Sequence, residues 1–148
     1  MATRVQITID CASPGLLTRF WARALGYVVP PAPDGFATWT DWYRHIGVPE
    51  DELGDGGDDR LVDPDGVGPA LWFQPVPEAK AVKNRLHLDL DVGGGRQTPL
   101  PERQARVEAA AVRLVAAGAT RLRTLDGEAE GHFGIVMADP EGNEFCLH

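Results

Sequence analysis

Hydrophobic and polar positions alternate over a short stretch, switch to a helical period, and then repeat that order later in the chain. In the first stretch Val5, Ile7 and Ile9 fall on one side and Gln6, Thr8 and Asp10 on the other. In the second, Leu86, Leu88, Leu90 and Val92 oppose His87, Asp89 and Asp91. A period of two belongs to a strand with one buried face, so strands are predicted at Val5–Asp10 and Leu86–Asp91. After the first, Leu16, Leu17, Phe20, Trp21, Ala24 and Leu25 recur at helical spacing. Ser13 suits the N-cap, Pro14 the first helical position and Gly26 a left-handed end, which predicts a helix over 13–25. A second helix is predicted from Pro101 or Glu102 to Ala117, stopped by Gly118, with Val107, Ala111, Leu114 and Val115 inward.

Further strands are predicted at Phe36–Thr40, Ala70–Gln74, Arg121–Thr124, Phe133–Met137 and Glu144–Leu147, with a short helical turn around Asp41–Ile46. Each half also carries an acidic turn before its last strand: Asp63-Pro64-Asp65-Gly66 and Asp139-Pro140-Glu141-Gly142. The repeated pattern predicts an α+β fold of two tandem βαβββ modules whose mixed sheets enclose a cleft. We place both modules in one domain, residues 1–148, with the first over about 4–76 and the second over about 84–148.

Composition changes this picture in one place. The net charge of −8 is local, because residues 50–66 hold eight acidic side chains against Arg60. Subtracting that segment from totals of 22 acidic and 14 basic residues leaves 14 and 13. The acids belong to a Gly- and Asp-rich excursion over about 42–68, expected at the surface and tolerant of neutralisation. Its spacing is not that of an EF-hand. No basic footprint for nucleic acid exists, and no apolar run approaches the roughly 20 residues of a membrane span. Two cysteines, Cys11 and Cys146, are too few for a disulfide framework, so a reduced, cytoplasmic protein is expected. No phosphate loop or nucleophile elbow occurs.

With these residues laid out, the chain resembles the vicinal oxygen chelate superfamily, the glyoxalase/bleomycin-resistance/dioxygenase fold. The resemblance rests on Ile9 through Gly26, on Arg85 to Leu90, and on Asp139-Pro140-Glu141-Gly142-Asn143-Glu144-Phe145. It is strongest toward the glyoxalase-like branch, whose Lys-Asn-Arg-x-His-x-Asp stretch matches Lys83 to Asp89. Metal-dependent members place one ligand on the first and last strand of each module. Those places here hold Gln6, Gln74, His87 and Cys146, expected to converge on one cleft. Two of the four are neutral amides, weak donors beside imidazole, thiolate or carboxylate. The resemblance therefore implies binding of a small organic ligand without a catalytic metal, as in bleomycin-resistance-like members, and a homodimer.

The expected ligand-binding residues are Gln6, Thr8, Trp72, Gln74, His87, Asp89 and Cys146. The alternative is a metal-dependent lyase or isomerase of the glyoxalase I type, acting on a vicinal-oxygen substrate. A divalent ion would then start from His87 and recruit Asp89, His132 or Glu144. Plainer roles stand beside these. His87 can be a hydrogen-bonded strand histidine, Cys146 a small apolar filler, and Asp89 a partner of Arg85. Asp139 and Asn143 suit the turn, and Trp39 and Trp72 fit a cleft wall or a core equally well.

Overall fold

A computed structural model describes residues 2–127 and 131–148. The chain forms two compact units, Met1–Ala79 and Lys80–His148. The first unit runs β1 (Gln6–Cys11), α1 (Pro14–Leu25), α2 (Trp39–His45), a 3-10 turn (Glu50–Glu52), β2 (Arg60–Leu61) and β3 (Ala70–Pro75). The second runs β4 (Asp89–Leu90), α3 (Leu100–Ala116), β5 (Thr120–Gly127), β6 (His132–Ala138) and β7 (Glu144–Leu147). No helix among the described residues is long and apolar enough to cross a membrane.

α1 forms where its caps predict. The Ser13 hydroxyl accepts from the Leu16 amide, and Gly26 ends the helix at φ 71°, a left-handed conformation that glycine adopts without a Cβ penalty. Leu17, Phe20 and Trp21 are buried, the last two meeting edge to face at 5.3 Å. They pack on β2 and β3, whose Leu61, Leu71 and Phe73 complete the core of this unit. Full burial of one such side chain stabilises by about 1.5–3 kcal/mol. Leu16, placed on the apolar stripe by spacing alone, is exposed. In the second unit Val107, Ala110, Ala111 and Leu114 of α3 cover Phe133, Ile135 and Met137 of β6 and Phe145 and Leu147 of β7. Val115 lies a further step around the helix and is 48% exposed, contrary to its predicted inward place.

The two sheets repeat one topology. The first has order β1-β3-β2, and the second β4-β7-β6-β5. In each, the first strand runs parallel to the last, and the last pairs antiparallel with the strand before it. The fourth strand of the first sheet has shrunk to a single bridge, Val28 to Val62. The fold is thus α+β with two βαβββ modules, one of them reduced to three full strands.

Three predicted elements are corrected. Phe36–Thr40 is not a strand, because Thr38 caps α2: its hydroxyl accepts from the Asp41 amide at 3.1 Å and donates to the Asp41 carboxylate at 2.7 Å. The Thr38-x-x-Asp41 spacing is a capping-box signal that outranks the β-propensity of Phe36 and Trp39. Leu86–Asp91 is ordered as a strand only at Asp89–Leu90, and Leu86 is 88% exposed. The ladder stops there because Asn84 occupies the next groups on β7. Its side chain donates to the Glu144 carbonyl and its amide to the Glu144 carboxylate. Val5, expected under the first helix, precedes β1 and is 64% exposed.

The acidic excursion is also corrected, since it is not a detached surface loop. Asp59 is buried and its carboxylate accepts from Tyr43 Oη at 2.6 Å, Trp72 Nε1 at 3.0 Å and Arg60 Nε at 3.0 Å. Asp55 accepts from the Ser13 hydroxyl at 2.6 Å and from the Gly15 and Gly57 amides. This places a carboxylate on the N-terminus of α1, where the helix dipole favours one. Gly57 is needed for the approach, as a Cβ there would lie 2.9 Å from the Gly15 Cα. Two of the acids thus serve six donors, among them groups of α1, α2 and β3.

Candidate ligand site

His87, just ahead of β4, and Asp89, its first residue, lie two residues apart and share a side, as the alternation predicted. His87 Nδ1 is 2.9 Å from Asp89 Oδ1. Asp89 therefore pairs with His87, not with Arg85. In the neutral ring, an Nδ1–H donating to this carboxylate leaves Nε2 as an acceptor. Parallel pairing sets Asp89 opposite Cys146 on β7. The candidate ligand atoms of His87, Asp89 and Cys146 all lie within 4.8 Å of one another.

The row continues across the sheet. Cys146 is opposite Val136 of β6, and Val136 is opposite Arg123 of β5. This is the sheet face away from α3, because the alternate residues Ile135, Met137, Phe145 and Leu147 are the ones buried under that helix. The Cys146 thiol is pushed up from its ordinary value, first by burial and then by the Asp89 carboxylate, while Lys83 and Arg123 act in the opposite direction. Cys146 is therefore a protonated, half-buried thiol rather than a ready thiolate.

Glu144, two residues from Cys146 on the same face, is already engaged. It pairs with Lys80 at 3.1 Å and accepts from the Asn84 amide. Led by that amide bond, these partners hold its carboxyl down at about 2. His132 lies at the far end of β6, opposite Gly127, and does not join the cluster. Asp139 and Asn143 serve the turn: the Asp139 carboxylate accepts from the Glu141 and Asn143 amides and the Asn143 side chain.

Gln6, Thr8, Trp72 and Gln74 all lie in the first unit. Thr8 is opposite Trp72, but Gln6 is opposite Ala70 and Gln74 opposite Asp10. Gln6 and Gln74 are thus four ladder positions apart, about 13 Å along the strands, and form no single donor set. The repeated topology explains the discrepancy. His87 stands two residues before the partner of Cys146, and Gln6 stands two residues before the partner of Trp72. Trp72, not Gln74, therefore occupies the place in the first sheet that Cys146 occupies in the second.

Trp72 does not present a free edge there. Its indole N–H donates to Asp59, and the next residue across the sheet is Arg60. The Arg60 guanidinium lies 3.6 Å from the centre of the Trp39 ring and also contacts the Tyr43 hydroxyl. Trp39 donates its own N–H to the Pro30 carbonyl at 2.9 Å. Burial, followed by the Asp59 carboxylate, pushes the Tyr43 hydroxyl up to about 12. Sequence reading missed this cluster because Tyr43, Asp59 and Arg60 come from an excursion taken for solvent-exposed. The capping box that starts α2 was its available signal.

As a donor set, His87, Asp89 and Cys146 supply an imidazole nitrogen, a carboxylate oxygen and a thiol sulfur. Three such donors with a fourth position open fit zinc. They fit a hard, all-oxygen cation poorly.

A family model for the glyoxalase-like domain matches residues 6–148. No curated protein matches the sequence. Among solved structures, fosfomycin resistance protein FosX from Mesorhizobium loti is 13% identical, with a TM-score of 0.62 over 100% of this chain and 91% of that one. A mutant FosX from Listeria monocytogenes, solved with Mn(II) and 1S,2S-dihydroxypropylphosphonic acid, is 11% identical, with a TM-score of 0.61 over 100% and 90%. A glyoxalase/bleomycin resistance protein/dioxygenase family enzyme from Burkholderia phytofirmans is 16% identical, with a TM-score of 0.56 over 96% and 94%.

Proposed function

The chain belongs to the glyoxalase-like domain family of the vicinal oxygen chelate superfamily, and on that premise we propose that its second unit binds a small organic molecule without a catalytic metal. The observation that carries this reading is the His87–Asp89 hydrogen bond at 2.9 Å, with Asp89 paired to Cys146 across the β4–β7 ladder. A ring held by a carboxylate offers a fixed acceptor at Nε2, and the thiol offers a weak donor next to it. Polar groups converging on a rigid surface orient a ligand at small entropic cost. The small phosphonic acid held by the Listeria relative supports a ligand of modest size.

Titrating the full chain with a library of small oxygenated fragments, followed by amide NMR shifts, tests this. Saturable shifts at Asp89 and Cys146, lost in His87→Ala with an unchanged circular dichroism spectrum, are the expected result. Shifts that survive in His87→Ala, or that avoid β4 and β7, overturn it.

A second reading has its own observation, the mutual proximity of three metal-competent groups within 4.8 Å. Under it, His87, Asp89 and Cys146 hold zinc, and the ion supplies Lewis-acid polarisation of a substrate oxygen. Elemental analysis finding about one zinc per chain, lost in both Cys146→Ala and His87→Ala, selects this reading over the first.

A further inference from the structure

We propose that the ligand of the His87–Asp89–Cys146 face carries an anionic group, and that Arg123, with Lys83 beside it, recognises that group. This deepens the proposed function and rests on it. The pairing of β5 with β6 is irregular. Arg121 is opposite Met137, but Arg123 is opposite Val136, with a β-bulge between them. Regular pairing would put Arg123 opposite Ile135, on the face covered by α3. The bulge instead sends the two arginines to opposite faces, and re-aiming a side chain is what such bulges do beside binding sites.

The fates of the two side chains differ accordingly. Arg121, on the α3 side, is satisfied: it holds Glu108 of α3 through two bonds of 2.6 and 2.9 Å and Thr124 at 2.7 Å. Arg123, in the row of Val136, Cys146 and Asp89, has no hydrogen bond or ion pair among the described residues. Lys83 reaches the same face by a separate route. The bonds from Asn84 to Glu144 pin the chain immediately after Lys83 to β7, two residues from Cys146. Lys83 also lacks a partner among the described residues, whereas Lys80 is neutralised by Glu144.

The face thus presents two uncommitted cations against one carboxylate, Asp89, which His87 already engages. The surplus is positive on a chain whose net charge is −8. A guanidinium fork and a lysine, both within electrostatic reach of Cys146, suit a carboxylate or phosphate group. A local positive field within an acidic protein draws such ligands selectively.

The test uses the full chain, malonate as probe and malonamide as its neutral counterpart, with amide NMR shifts as readout. Malonate is expected to shift Asp89, Val136, Cys146 and Arg123 saturably, and malonamide at least about tenfold more weakly. Arg123→Gln is expected to weaken malonate by about tenfold or more, and Lys83→Gln by less. Arg121→Gln, across the bulge, should leave malonate binding unchanged. Equal binding of malonamide and malonate at these residues overturns the anionic class while leaving the proposed function standing. Equal weakening by Arg121→Gln and Arg123→Gln overturns the role of the bulge and of Arg123. Failure of both probes to move the row overturns this inference together with the reading beneath it.

Discussion

The two units lay down the same row of strand positions and use it in opposite ways. In the first, the row Thr8–Trp72–Arg60 is committed to the protein itself. Asp59 collects donors from Trp72, Tyr43 and Arg60, and the guanidinium is stacked on Trp39. In the second, the row Asp89–Cys146–Val136–Arg123 keeps its cation uncommitted among the described residues, while its thiol leans on Asp89. The difference follows from what each module inserts. The first places α2 and the acidic excursion between α1 and β2, and their side chains supply partners. The second goes from α3 directly into β5 through Gly118 and Ala119. A polar strand face becomes a binding surface only where the fold leaves its hydrogen bonds unspent.

Removing one carboxylate from each row gives the largest expected contrast. Asp59→Ala leaves a guanidinium, a phenol and an indole N–H without their acceptor, and should cost about 3–5 kcal/mol. Asp89→Ala removes a half-exposed partner of His87 and should cost under about 1 kcal/mol. Urea denaturation of both variants checks this, and equal losses would dissolve the distinction between a structural row and an open one. Next in size, Asp55→Ala should cost about 1–2 kcal/mol, because the N-terminus of α1 loses its carboxylate. A loss below a few tenths would return the excursion to the detached loop that its composition suggested.

The two units also respond to opposite ends of the pH range. Tyr43 has its folded value raised from 10.0 to about 12. The stability linked to it is fully present below pH 10 and is lost as pH climbs through 12. Tyr43→Phe should remove this alkaline step, followed by tyrosinate absorbance and circular dichroism together. In the second unit, Glu144 has its folded value lowered from 4.5 to about 2. Its contribution is present above pH 4.5 and fades as pH falls toward 2. Glu144→Gln should flatten the acid limb slightly, and an unchanged limb would mean that the Lys80 and Asn84 contacts contribute nothing measurable.

Local signals sufficed for much of the architecture. Ser13, Pro14 and Gly26 bound α1 to within a residue, since caps act over three or four neighbouring positions. Alternation found β1, and the paired acidic turns at Asp63 and Asp139 marked the start of each closing segment. Spacing also put His87 and Asp89 on one side of the segment that enters β4. The same methods failed wherever a residue's state depends on a partner distant in sequence. Leu86 alternates correctly, yet the register carries it past the start of β7, and Asn84 has already taken the Glu144 carbonyl. Asp59 reads as one more acid in an acidic loop until Tyr43, Arg60 and Trp72 close around it.

The candidate site divides along the same line. His87 and Cys146 were legible from motif positions. Pairing Cys146 with Asp89, and the equivalence of Trp72 to Cys146, required the register of two parallel ladders. Arg123 was beyond reach altogether. Its face is set by one extra residue in β5, and a one-residue shift reverses every side chain that follows it. Chemistry that rests on residue type and short spacing is written locally along the chain, whereas chemistry that rests on which face a side chain occupies is decided when strands pair.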